Sequence, residues 1–130
     1  MLNDSLANAL SKIMNAEKVA KKEVEIRPSS KVIKKVLKIM EDEGYVGSFD
    51  VINNGGKGET LKLNLLGRIN NCNVIKPRSS VKMDSYEKYE KRYLPAKDFG
   101  ILIISTPKGI MTHLEAKSKG IGGKLLAFCY

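Results

Sequence analysis

The chain has 130 residues, with 23 Lys+Arg against 14 Asp+Glu, giving a formal net charge of +9 and a pI near 9.6. Charged residues at 28% and apolar residues at 42% describe a folded chain rather than a disordered one, built as one domain or two small lobes. The longest apolar runs, such as Ile101–Ile104, fall far below the ~20 residues that span a bilayer, and Met1-Leu2-Asn3-Asp4 lacks the basic-then-apolar pattern of a secretory leader. Neither a membrane protein nor an exported one is expected.

In chain order, Asp4 or Ser5 caps a helix predicted to run to about Glu17, with Leu6, Ala9, Leu10, Ile13 and Met14 at helical spacing. Lys18–Ile26 alternates and ends in Val24 and Ile26, the pattern of a short strand. Pro28-Ser29-Ser30 is a stop followed by a cap. A second helix is expected over Lys31–Glu43, with Val32, Ile33, Val36, Leu37 and Met40 on one face and Gly44 at its end. Lys31, Lys34, Lys35 and Lys38 lie on the opposite face, which reads as solvated or, alternatively, as a contact to a phosphate backbone.

Tyr45–Asn53 and Thr60–Leu66 are predicted strands, joined by the glycine-rich turn Asn53-Asn54-Gly55-Gly56-Lys57-Gly58. A polar strand follows around Ile69–Ile75, then the breaker Pro77-Arg78-Ser79-Ser80. Tyr86–Arg92 reads as a helical turn stopped by Pro95. Phe99–Ser105 is the clearest buried strand, because Ile101 to Ile104 form a continuous apolar run. A short helix from Thr112 to about Lys119 and a strand at Lys124–Tyr130 complete the chain. The expected class is α+β, with an N-terminal α-β-α-β-β lobe (residues 1–66) and a mostly β C-terminal lobe with a short helix (residues 67–130).

The charge is unevenly placed. Residues 1–60 hold 10 Lys+Arg and 9 Asp+Glu, whereas residues 61–130 hold 13 and 5. That asymmetry suits a docking lobe for a polyanion attached to a nearly neutral one. Cys72 and Cys129 are expected as buried, reduced thiols. With His113 they are too few and too far apart for a zinc site, so no metal or cofactor is expected.

Gly56-Lys57 is followed by Gly58, and Gly123-Lys124 by Leu125, so neither completes a phosphate-binding P-loop. Ser105, His113 and Glu115 invite a serine-hydrolase reading, but no nucleophile elbow surrounds Ser105, and His113 is expected at the surface or half-buried. Ser105-Thr106-Pro107-Lys108-Gly109 leaves the buried strand with hydroxyls, a lysine and a glycine together. Hydroxyls recognise base edges and ribose 2′-OH groups, lysine neutralises phosphate, and glycine admits close approach. An ordinary polar turn reads equally well. Gly120-Ile121-Gly122-Gly123 is either a helix exit or a place where an RNA backbone comes close. Tyr86, Tyr89 and Tyr93 interleave with Lys88, Lys91 and Arg92, as base-stacking rings would, or they close over an edge of the lobe.

The string Ser105-Thr106-Pro107-Lys108-Gly109-Ile110-Met111-Thr112, then Glu115-Ala116 and Gly122-Gly123-Lys124-Leu125-Leu126-Ala127, resembles the C-terminal signature of the small-subunit ribosomal protein eight (S-eight) family. Asp4, Leu6-Ala7, Ile13 and Asn15-Ala16 resemble that family's opening helix, and Lys76-Pro77-Arg78 its central segment. The resemblance implies a two-lobe protein, not an enzyme, that binds an irregular helix in the central domain of 16S-type rRNA and helps assemble the subunit platform. It implies neighbouring ribosomal proteins as further partners, a cytoplasmic place in the ribosome, and in some members repression of their own mRNA. An isolated monomer is expected. Carried over by position, the RNA-binding residues are Ser105, Thr106, Pro107, Lys108 and Gly109, with Gly122 and Gly123 nearby and Lys76, Pro77, Arg78 and Ser79 in a second segment. Pro107 stands where bacterial members carry serine, and Met83–Lys97 resembles archaeal or eukaryotic members. The rival reading is a small hydrolase using Ser105 and His113.

Overall fold

The computed structural model describes residues 5–26, 31–53, 59–76, 78–82, 84–96 and 99–130. The expected cap at Asp4, the stop at Pro28-Ser29-Ser30, the turn at 54–58, and Pro77 lie outside them. The chain divides into two compact units, Met1–Ile69 and Asn70–Tyr130.

In the first unit, helix α1 (Ser5–Lys18) buries Leu6, Ala9, Leu10, Ile13 and Ala16. Strand β1 covers only Glu23–Ile26, because the chain first makes a helix exit at Ala20. The Ala20 N–H donates to Glu17 O and the Lys21 N–H to Ala16 O, with Ala20 held at φ 56°. Helix α2 (Lys31–Asp42) buries Ile33, Val36, Leu37 and Met40, while Val32 stays 40% exposed. It ends by the same pair of bonds, Gly44 N–H to Glu41 O and Tyr45 N–H to Met40 O, but here glycine takes the left-handed position at φ 83°. Strands β2 (Val46–Asn53) and β3 (Glu59–Leu65) complete an antiparallel sheet ordered β1-β3-β2. The alternation along β3 is as expected, with Leu61, Leu63 and Leu65 buried. The α-β-α-β-β order is therefore present.

The second unit contains strands β4 (Cys72–Val74) and β5 (Ser80–Val81), helix α3 (Tyr86–Tyr93), strands β6 (Ile101–Thr106) and β7 (Gly109–Thr112), helix α4 (His113–Lys119) and strand β8 (Gly123–Cys129). All its strand pairings are antiparallel, in the order β4-β8-β6-β7, with β5 also paired to β8. The core gathers Ile75, Val81, Tyr86, Leu94, Leu102, Ile104, Met111, Ala116 and Leu125.

Three expectations change here. The strand expected over Ile69–Ile75 contracts to Cys72–Val74, and Ser80 enters a two-residue strand. The chain after Ser105 does not turn straight into a helix. It folds back as β7, and only then does Thr112 cap α4 by accepting from the Glu115 N–H (3.2 Å).

Candidate nucleic-acid interface

The β6–β7 hairpin is closed by Thr106 opposite Gly109, leaving Pro107 and Lys108 at its tip. Proline presets the turn's first backbone angle, and Gly109 sits at φ 121°, where a side chain is strained. The Thr106 hydroxyl holds this shape from inside: it donates to Gly109 O (2.7 Å) and accepts from the Lys108 N–H (3.2 Å). Thr106 is buried, whereas Pro107, Lys108 and Gly109 are exposed and Ser105 half-buried. The hydroxyl expected to face a ligand is thus engaged in the turn itself. Thr106 shapes the loop, and Pro107, Lys108 and Ser105 form its outer surface.

The register of β8 then brings distant segments together. Lys124 lies opposite Ser80 on one side and opposite Ser105 on the other, and Ser105 in turn faces Ile110. Directly opposed residues share a face of the sheet, so Ser80, Lys124, Ser105 and Ile110 form one row. Lys124 and Ser80 are exposed. The segment expected as a second contact runs alongside: the Leu125 N–H donates to Ser79 O (3.0 Å), and the Ile75 N–H to Leu126 O (2.9 Å). Arg78 and Lys76 are exposed within it. Among the described residues, the two sequence-predicted segments therefore flank one strand. Lys124 and Ser80 are not among the sequence-predicted contacts: Lys124 figures there in a failed P-loop and in the family string, and Ser80 in a chain breaker. The outward position of Lys124 within an otherwise apolar strand was the signal that marked it.

Gly122 and Gly123 have a local cause. A Cβ on Gly122 would lie 2.3 Å from Val81 O, and one on Gly123 2.3 Å from Ser105 O. The backbone that comes close to them is the protein's own, while the helix exit is made by Gly120 at φ 68°. The pair lets β8 enter tightly between β5 and β6, and so sets the row around Lys124.

His113 is 2% exposed, fully buried rather than at the surface or half-buried as expected. Its Nδ1 accepts from the Leu102 N–H (3.1 Å), and its Nε2 stands 3.3 Å from Glu90 Oε1. An acceptor Nδ1 places the proton on Nε2, facing the carboxylate. Lys117 Nζ binds the same Glu90 oxygen, so α3 and α4 are tied through one carboxylate. Both ring nitrogens being engaged, His113 has no lone pair for Ser105, and the hydrolase arrangement is not assembled.

The tyrosines close over the core. Tyr86 is buried and donates to Ile121 O (2.8 Å), and burial raises its phenol pKa above the usual 10.0. Tyr93 stacks on Phe128 with centroids 5.7 Å apart. Tyr89 is half-buried between Lys88 and Arg92, whose cationic groups lie 5.7 and 5.8 Å from its ring centre.

In this basic α+β chain the hairpin tip and the serine–lysine row beside it make up the candidate surface for a polyanion. The family model for ribosomal protein S8 matches residues 4–130, and the chain belongs to that family. It is a small-subunit ribosomal protein that binds rRNA, with its place in the ribosome beside other ribosomal proteins. No helix among the described residues is long and apolar enough to cross a membrane.

Proposed function

We propose that the second unit is the primary RNA-reading part, and that it recognises an irregular helix of the central domain of the small-subunit rRNA during assembly of the platform. The observation that carries this reading is the register that sets Lys124 between Ser80 and Ser105, next to the exposed tip at Pro107-Lys108. Residues 70–130 also hold 11 Lys+Arg against 5 Asp+Glu. Regular A-form RNA hides its base edges in a deep groove, and an internal loop opens that groove to a narrow probe such as this hairpin.

In this division of labour Lys108, Lys76 and Arg78 act on phosphates, with Pro77 carried along in the same segment. Ser105 and Ser79 act on sugar or base groups. Thr106, Gly109, Gly122 and Gly123 hold the surface in shape. The first unit, with its smaller charge excess, packs on neighbouring ribosomal proteins or a second RNA helix. A monomer in isolation and repression of its own mRNA through the same face belong to the same reading.

A gel-shift titration tests it, with the central-domain helix and a regular duplex of equal length as competitor. The native chain is expected to prefer the irregular helix by ~10³ or more. Ser105→Ala should reduce that preference more than it weakens duplex binding. Equal, steeply salt-sensitive binding to both RNAs would remove the specific reading and leave only a basic surface.

A further inference from the structure

We propose that Cys72 and Cys129 form a reversible cross-strand disulfide in the folded chain. They stand directly opposite each other in the β4–β8 ladder. One residue along, Asn71 and Tyr130 exchange both backbone bonds, Asn71 N–H to Tyr130 O at 3.0 Å and Tyr130 N–H to Asn71 O at 2.9 Å. Antiparallel ladders alternate, so the next pair, Cys72 with Cys129, occupies a non-hydrogen-bonded site. The bond from the Ile75 N–H to Leu126 O keeps the same phase further along. At such a site the two side chains lie on one face with Cα atoms about 4.5 Å apart, at the short end of the range a disulfide spans.

The surroundings agree. Cys72 is 3% and Cys129 0% exposed, and Ile101 faces Cys129 on its other side. A disulfide there places no new polar group in the core. The chain has no other cysteine, so an intramolecular bridge has a single connectivity. β4 is only three residues long and lies at the sheet edge, so its local opening gives a reagent access to Cys72.

The exchange partner is a low-molecular-weight disulfide such as oxidised glutathione. The Cys72 thiolate attacks one of its sulfurs, forming a mixed disulfide and releasing one glutathione thiolate. The Cys129 thiolate then attacks the Cys72 sulfur and releases the second. One disulfide bond is made and one broken; two protein thiols are oxidised, glutathione disulfide is reduced to two thiols, and these take up the two protons.

The full chain is brought to equilibrium in glutathione redox buffers, once in urea and once after dilution from urea to native conditions, so that burial does not block the exchange. Acid-quenched samples are read by mass spectrometry for the loss of two hydrogens. Folding should favour the intramolecular disulfide at least about tenfold over the unfolded chain, and the oxidised chain should melt at a higher temperature. Cys129→Ser should yield only the mixed glutathione adduct. An equal or smaller disulfide-forming constant in the native state overturns the proposal, as do mixed adducts or linked dimers as the main native products. The result does not depend on which RNA the opposite end of β8 meets.

Discussion

At the scale of single residues, two groups carry sharp expectations. Tyr86 donates its buried hydroxyl to Ile121 O, and Tyr86→Phe should cost about 1 kcal/mol in urea unfolding at neutral pH. The sign of its pH effect follows from its raised pKa. Below pH 10 the phenol keeps its proton in both states; as pH rises past 10.0 the unfolded chain ionises first, and stability falls until the folded phenol ionises too. The Phe variant should lack that share of the alkaline decline. Ala20 ends α1 at φ 56°, where Gly44 ends α2 in the same way at φ 83°. Ala20→Gly should therefore stabilise the chain, by roughly 0.5 kcal/mol once the added freedom of the unfolded state is counted, read from the shift in urea midpoint. Nothing in the local sequence distinguishes Ala20 as a left-handed residue, so the strand expected from Lys18 began several residues too early.

At the scale of elements, the tight entry of β8 is the most exacting feature. Gly123→Ala places a methyl against a backbone oxygen that cannot rotate away, and should cost about 2 kcal/mol or more by thermal melting. Because the displaced group is Ser105 itself, the same variant should weaken rRNA binding even where the chain remains folded. The legibility of the elements follows from their length. α1, α2 and β3 carry enough turns or alternations for periodicity to reveal them, and β6 is marked by its continuous apolar run. β5, with two residues, and β7, with four including a glycine and a threonine, carry almost none. Their existence depends on β8 and β6 as templates. The burial of His113 was hidden for a related reason: its partners are the Leu102 N–H and Glu90, neither of which is its neighbour in sequence.

For the whole molecule, the uneven charge was visible in the sequence, and so was the membership of the loop at Ser105–Gly109 in a recognisable string. The register that places Ser80 and Lys124 beside that loop was not, since it arises from pairing between strands that are far apart in the chain. Electrostatics gives the matching prediction. If Lys76 and Lys108 each neutralise one phosphate, Lys76→Ala and Lys108→Ala should weaken all RNAs alike and flatten the slope of log K against log salt by about one unit each. Unchanged slopes would assign their charges to solvent.

The order in which the strands occur along the chain has one more effect. β8 is the last of them, yet β4, β5 and β6 all pair with it. A ribosome synthesising this protein therefore releases the strands of the second unit before their common template exists, and that sheet closes only when residues 123–129 have emerged. A nascent chain stalled short of that point has Ser80 and Ser105 but nothing to align them, so it would not compete with finished molecules for RNA.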